Sequence, residues 1–282
     1  MRPTFRLYRG FVGRSMDELK RYTQIAVNLE AIRGPQGPYA LHAFDNPESV
    51  KECKILSDAD IGGFSQSHLE WHPSESSPQT TTTLKSPSSS TPHLPQTAGY
   101  ARFYGAISTE LPKDRPEIQR TGYAAWRTPD RKPTIFGRSY WNIDPYDYLA
   151  MRIKSDGRSY FVNVQTESIV QTDLHQHRLF AKRPGQWETV LIHWNDFVRT
   201  NHGMVIEPQT EILRQKVKSI GVGLTDRIPG PFELCIERIW ATNNPEDADT
   251  EDAPPMSTGS LKTRSGEKVG WNPGSEEPNT KE

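Results

Sequence analysis

Between residues 41 and 240 the apolar positions recur with a period of two. The stretches 64–71, 100–107, 122–126, 148–154, 160–166, 178–182, 187–194, 220–225 and 232–240 all read as strands. In Leu149-Ala150-Met151-Arg152-Ile153-Lys154 the apolar residues take one face and the longer polar ones the other. Asp156-Gly157, leading into Tyr160-Phe161-Val162-Asn163-Val164, carries the signal of a tight hairpin turn. Many short strands without intervening helices predict an antiparallel sandwich and no α/β sheet.

Ahead of these strands the period changes. Met16, Leu19, Tyr22, Ile25, Ala26, Leu29 and Ile32 recur every three or four residues and predict an amphipathic helix. Ser15-Met16-Asp17-Glu18 reads as its capping box, and Gly34-Pro35 as its end. Its apolar stripe must pack on something: the sandwich itself, a partner, or a membrane surface. Two other stretches lack a pattern. The Ser/Thr/Pro-rich insertion 74–97 and the acidic segment 243–282 cannot bury enough apolar surface to offset ordering entropy, and are expected to be disordered. The organisation is thus a basic N-terminal segment with a helix (1–40), a β-sandwich (41–242) and an acidic tail (243–282).

Composition fits that division. Hydrophobic residues are 34% of the 282, which is low because the insertion and tail dilute an ordinary core. The formal net charge of −1 conceals a gradient. Residues 1–33 hold seven bases against three acids, residues 243–282 nine acids against four bases, and the middle is neutral. Neutrality argues against nucleic acid as a partner. No run reaches the roughly 18 apolar residues of a spanning helix. Four Arg and no acid in the first sixteen residues give the bias of a mitochondrial import segment, although Pro3, Gly10 and Gly13 would interrupt a helix; a basic, loosely ordered terminus is the other reading. No apolar stretch follows that would serve as a secretory signal.

The search for chemistry returns little. The glycines of Ile61-Gly62-Gly63 and Gly221-Val222-Gly223 have no following helix and make no phosphate cradle. Asp173, His175 and His177 alternate on one side of a strand, a metal patch or simply a polar, solvent-facing strand. His68 and His72 precede Pro73 and suggest surface positions. Cys53 and Cys235 are read as two buried thiols, or as a disulfide between the first and last strands. Trp126, Trp141, Trp187, Trp194 and Trp240 are core and rim, or a platform for stacking sugars. No catalytic residue, cofactor site or metal site is assigned.

One set of motifs does carry a likeness. Ser57-Asp58-Ala59-Asp60-Ile61-Gly62-Gly63-Phe64-Ser65 resembles the opening of the complex I intermediate-associated protein 30 family. The likeness continues through Phe103-Tyr104-Gly105-Ala106-Ile107-Ser108, Thr121-Gly122-Tyr123-Ala124, the dense segment 146–158, Gln186-Trp187-Glu188 and the segment 219–232. It runs in order from about Leu41 to Trp240.

The resemblance implies a galactose-binding-like jelly-roll β-sandwich. It also implies a mitochondrial, non-enzymatic assembly factor, acting in the matrix or on the matrix face of the inner membrane. Its implied partners are subunits of NADH:ubiquinone oxidoreductase (complex I) and other assembly factors. Peripheral contact with the inner membrane is the expectation that the helix's apolar stripe leaves open, and the lack of a long apolar run predicts no transmembrane segment. The insertion 74–97 and the acidic tail depart from the family pattern. The contact candidates are the turns of the motifs, expected to be exposed: Asp58, Gly62, Gly63 and Ser65 at the first, and Asp226, Arg227 and Gly230 at the last. Arg138, Trp141 and Arg158 join them because Arg and Trp are enriched at interface hot spots. The rival expectation is a sandwich that binds carbohydrate or another small ligand, with Trp141 and Trp187 stacking on it; an enzyme whose residues converge only in space is a third.

Overall fold

A computed structural model describes residues 10–27, 37–74 and 97–247. Helix α1 (Phe11–Val27) is followed by β1 (Tyr39–Ala43), the short α2 (Pro47–Lys51), β2 (Lys54–Ser57), β3 (Gln66–Pro73), β4 (Gly99–Ile107) and β5 (Ala124–Arg127). Then come β6 (Tyr148–Ser155), β7 (Tyr160–Thr166), β8 (Asp173–Arg178), β9 (Trp187–His193), β10 (Val198–Asn201), β11 (Met204–Val205), β12 (Val217–Leu224) and β13 (Gly230–Thr242). Two antiparallel sheets form the expected sandwich. The first runs β3-β4-β13-β6-β9, with β1 also on β13; the second runs β11-β10-β8-β7-β12-β5-β2. β13 is the spine of the first sheet. One edge pairs with β6, and the other pairs with β4 from Gly230 to Ile236 and then with β1 from Arg238 to Ala241.

Alternation explains the core. Along β7 the residues Tyr160, Val162, Val164 and Thr166 are buried, while Phe161, Asn163 and Gln165 are only half-buried on the other face. Facing them from the opposite sheet are Phe103, Leu149, Met151, Ile153 and Leu234. Trp126 and Trp194 are the largest fully buried side chains, and each such burial is worth about 2–3 kcal/mol. Trp141 and Trp240 are buried too, and Trp187 is half-buried against Tyr100. The tryptophans are therefore core and rim. Cys53 and Cys235 are separate thiols and not a disulfide.

Several expectations are corrected. β6 and β7 do not form a hairpin, because they lie in different sheets. Asp156-Gly157 turns the chain over from one sheet to the other, with Gly157 at φ +90°; a turn signal does not distinguish the two outcomes. The strand expected over 178–182 is instead β8, at 173–178. Its inward face is polar, which disguised it. Asp173 and His175 are buried, not solvent-facing: Asp173 pairs with Arg199 and Asn201, and His175 meets the Thr210 carbonyl at 3.3 Å. No cluster of three metal-ligating side chains occurs among the described residues. β1, β2, β10 and β11 were not anticipated, being short or polar.

The helix also differs. It starts at Phe11, so Ser15 is inside it and not its cap: its hydroxyl donates to the Phe11 carbonyl at 2.9 Å and accepts the Ile135 amide at 3.1 Å. Gly13 lies within the helix. The expected end at Gly34-Pro35, and the insertion and tail apart from Ser74, Thr97 and residues 243–247, fall outside the described residues.

Candidate functional site

Strand register places most of the motif residues at one end of the sandwich. Ser57 pairs with Ala124, Leu224 with both Ala124 and Tyr160, Ile107 with Gly230, and Ser155 with Leu234. The loops 58–65, 108–123, 156–159 and 225–229 therefore leave the two sheets on the same rim. Segments that are scattered over the sequence become neighbours there.

Asp58 organises one half of this rim. It is 0% exposed. Its carboxylate accepts the Ser65 amide at 2.9 Å, the Ser65 hydroxyl at 2.8 Å and the Gly122 amide at 2.5 Å. Ser65 Oγ in turn accepts the Ser108 amide at 3.0 Å. One carboxylate thus ties the end of β2 to the starts of β3 and β5 and, through Ser65, to the end of β4, spanning both sheets. The glycines are what this closure needs. Gly62 sits at φ +96°, and a Cβ on Gly63 would lie 2.5 Å from Asp58 Cγ. Asp58 and Ser65 are consequently buried anchors, a correction to their expected exposure; Gly62 and Gly63 are half-exposed. Arg115 closes over the turn, donating to the Ile61 carbonyl at 3.0 Å.

Arg158 organises the other half. Its guanidinium is bidentate to Asp226, Nε–Oδ2 3.0 Å and Nη2–Oδ1 2.7 Å. It also donates to the carbonyls of Gly230 (3.1 Å), Pro231 (2.9 Å) and Ile228. This fork fills the donor capacity of an arginine and fixes the loop from β12 to β13. Asp156 reinforces it by accepting the Glu233 amide at 2.8 Å and the Tyr160 hydroxyl at 3.1 Å. Burial, then the nearby Asp156, raise the Tyr160 phenol above its ordinary pKa, so the hydroxyl remains a donor. A shallow hollow of about 370 Å³ lies between Asp156, Arg158, Asp226 and Pro229.

What these two braces present outward is apolar and cationic. Ile228 is 61% exposed and Phe64 54%; Arg227, at φ +54°, is exposed beside Ile228. Gly230, at φ +129°, has open space around its Cα. Arg138 and Trp141 do not join this rim. Trp141 is buried and bridges Val217 at the start of β12, the opposite end, and Arg138 is exposed in the loop that precedes it. The residues that sequence reasoning missed are Gly122, Ser108 and Glu233, which contribute backbone amides. Ser108 and Gly122 lie in segments of the family likeness, but nothing in side-chain identity marks a backbone amide as a partner. Among the described rim residues the bonds run from amides, hydroxyls and a guanidinium to carboxylates and carbonyls, an arrangement suited to holding loops still.

Comparison with known proteins agrees with the motifs. The family model for complex I intermediate-associated protein 30 matches residues 42–236. The mitochondrial complex I intermediate-associated protein 30 of Neurospora crassa is 60% identical over 262 residues, 93% of this chain and 94% of that protein. The mitochondrial protein of the same name in Mus musculus is 26% identical over 72% of this chain, which spans 55% of it. Among solved structures, the family 11 carbohydrate-binding module of a Clostridium thermocellum cellulase is similar at 13% identity and TM-score 0.47, over 74% of this chain and 95% of that one. From the matched core and the near-complete overlap with the Neurospora relative, the chain is a mitochondrial member of the complex I intermediate-associated protein 30 family.

Proposed function

We propose that the chain is a non-enzymatic assembly factor for mitochondrial complex I, which holds partly built intermediates through the braced rim of its sandwich. The observation that carries this reading is the combination of the Asp58 and Arg158 braces with the outward Ile228, Phe64 and Arg227. Loops fixed before binding lose little conformational entropy when a partner arrives, so a few exposed apolar and arginine side chains suffice. Gly62 and Gly230 contribute close backbone approach, while Asp58, Gly63, Ser65, Arg158 and Asp226 act from beneath as scaffold. The partners are complex I subunits and other assembly factors, met in the matrix or at the matrix face of the inner membrane, with the protein in peripheral contact with that membrane.

The test is affinity purification of the tagged chain from isolated mitochondria, with native gels of complex I from the deletion strain. Recovery of complex I subunits, lost on Ile228→Glu, together with stalled subassemblies in the deletion strain, is the expected result. Normal complex I in the deletion strain would overturn the reading.

A further inference from the structure

At the end opposite the rim, helix α1 is mounted with its polar side inward. Among residues 11–23 of the helix, Ser15 and Glu18 are the buried ones. Ser15 accepts the Ile135 amide, Glu18 lies 3.7 Å from Arg131 and 3.6 Å from Arg21, and Arg14 reaches the Pro133 carbonyl at 3.4 Å. Arg21 caps the Tyr39 ring at 4.8 Å. Its apolar stripe points away: Val12 is 71% exposed, with Met16 and Leu19 about half exposed. At 3.6 residues per turn these three fall within about 60° of arc, and Asp17 and Glu18 lie on the far side. Phe11 and Tyr22, on the arc between Ser15 and Glu18, are also about half exposed. The exposed Ile135 and Phe136 continue this apolar surface from the sandwich, Phe136 meeting Tyr22 edge-to-face at 5.8 Å.

An amphipathic helix normally buries its apolar face, so this inverted mounting leaves the ridge for something outside the chain. The shape and charge select the occupant. The surface is a convex ridge and not a groove; Lys20 is exposed on the helix about 40° round from Met16, and Arg138 is exposed just after the 134–137 turn. Arg2, Arg6 and Arg9 precede it in the chain with no acid among the first sixteen residues. Apolar ridge and cationic border match acyl chains beneath anionic headgroups. We propose that the outward face of α1, with Ile135 and Phe136, is an interfacial anchor that lies in an anionic phospholipid surface. This deepens the peripheral-membrane part of the reading above and fails separately from it, since complex I assembly is read by native gels and not by vesicles. Anchored this way, the sandwich turns its braced rim away from the lipid.

The experiment is flotation of the full chain with vesicles of phosphatidylcholine alone and of phosphatidylcholine mixed with phosphatidylglycerol. Binding to the mixed vesicles, about tenfold or more above the neutral ones and weakened by salt, is expected. Val12→Glu/Leu19→Glu should lower it about tenfold or more, with circular dichroism unchanged, while Phe180→Glu at the opposite end leaves it intact. Should the double glutamate variant unfold α1, Lys20→Glu/Arg138→Glu must still lose the preference for anionic vesicles. Failure of the wild-type chain to float, equal binding by the variants, or a concentration-dependent dimer through this face in place of lipid binding would each overturn the proposal.

Discussion

The carboxylate of Asp58 and the amide of Gly122 meet at 2.5 Å, although 64 residues separate them in the chain. Because Asp58 also receives both polar groups of Ser65, its removal would leave the two buried amides of Ser65 and Gly122 unpaired, with the Ser65 hydroxyl left to the Ser108 carbonyl at 3.2 Å. Asp58→Ala is expected to cost about 3 kcal/mol, and Asp58→Asn, which keeps one acceptor oxygen, about half of that. Urea unfolding with a constant slope checks both. A loss below about 1 kcal/mol for the alanine variant would show that the amides find other partners.

Gly63 and Gly185 separate two reasons for a glycine. At Gly63 the backbone is ordinary but an added methyl collides with the Asp58 side chain at 2.5 to 2.8 Å; at Gly185 space is open and φ is +81°. Gly185→Ala should cost about 1 kcal/mol, the conformational term alone. Gly63→Ala should cost about 2 to 3 kcal/mol and, by displacing Asp58, lose its additivity with Asp58→Ala. A double-mutant cycle reads the difference.

Arg158 holds the loop that bears Ile228 with a planar fork that lysine cannot reproduce. Arg158→Lys should therefore speed amide exchange across residues 226–231 and weaken partner capture while global stability falls by only about 1 to 2 kcal/mol. Unchanged exchange in that loop would mean that the brace is redundant.

Cys53 and Cys235 are both pushed up to about 12, chiefly by burial, with Glu52 and Glu233 adding to it. Their thiolate fraction at neutral pH is correspondingly small. A maleimide should label the native chain about a hundredfold or more slower than the urea-unfolded chain, in two equivalents. Rapid labelling of the native chain would contradict the described packing.

The sandwich was legible because its longer strands alternate. β4, β6, β7, β9 and β12 overlap their expected spans, and β7 matches at both ends. What escaped were elements whose identity rests on partners far along the chain. β8 turns Asp173 and His175 inward because Arg199 and Thr210 are waiting there, and no local pattern announces Arg199. The turn at Asp156-Gly157 was visible, but its destination depends on Asp226 and Glu233, some 70 residues on. The rim motifs were recognisable as a family likeness; their bracing role was not, since no local pattern announces that the Asp58 carboxylate meets the Gly122 amide or that Arg158 forks onto Asp226. The helix was found, but its orientation was not, because amphipathicity says which face is apolar and not which face is docked.

Acid sensitivity follows from three histidines. His42, beside Phe44 and 3.9 Å from Cys53 Sγ, is lowered to about 4 by desolvation, against the opposing pull of the Ser49 backbone and Glu52. His175 and His177 are lowered as well, again chiefly by burial. All three titrate near 6.5 when the chain unfolds, so the unfolded state binds more protons below that pH and stability falls as pH drops. The loss should begin near pH 6.5 and reach about 3 kcal/mol from His42 alone by pH 4. Asp173, held below the usual carboxylate range by its hydrogen bonds from Arg199 and Asn201, adds a second loss only below about pH 4. His42→Gln should flatten the slope between pH 6.5 and 4 without abolishing it, because His175 and His177 remain. Urea midpoints measured at intervals from pH 7.5 to 4 check this, and a variant with the wild-type slope would remove His42 from the account.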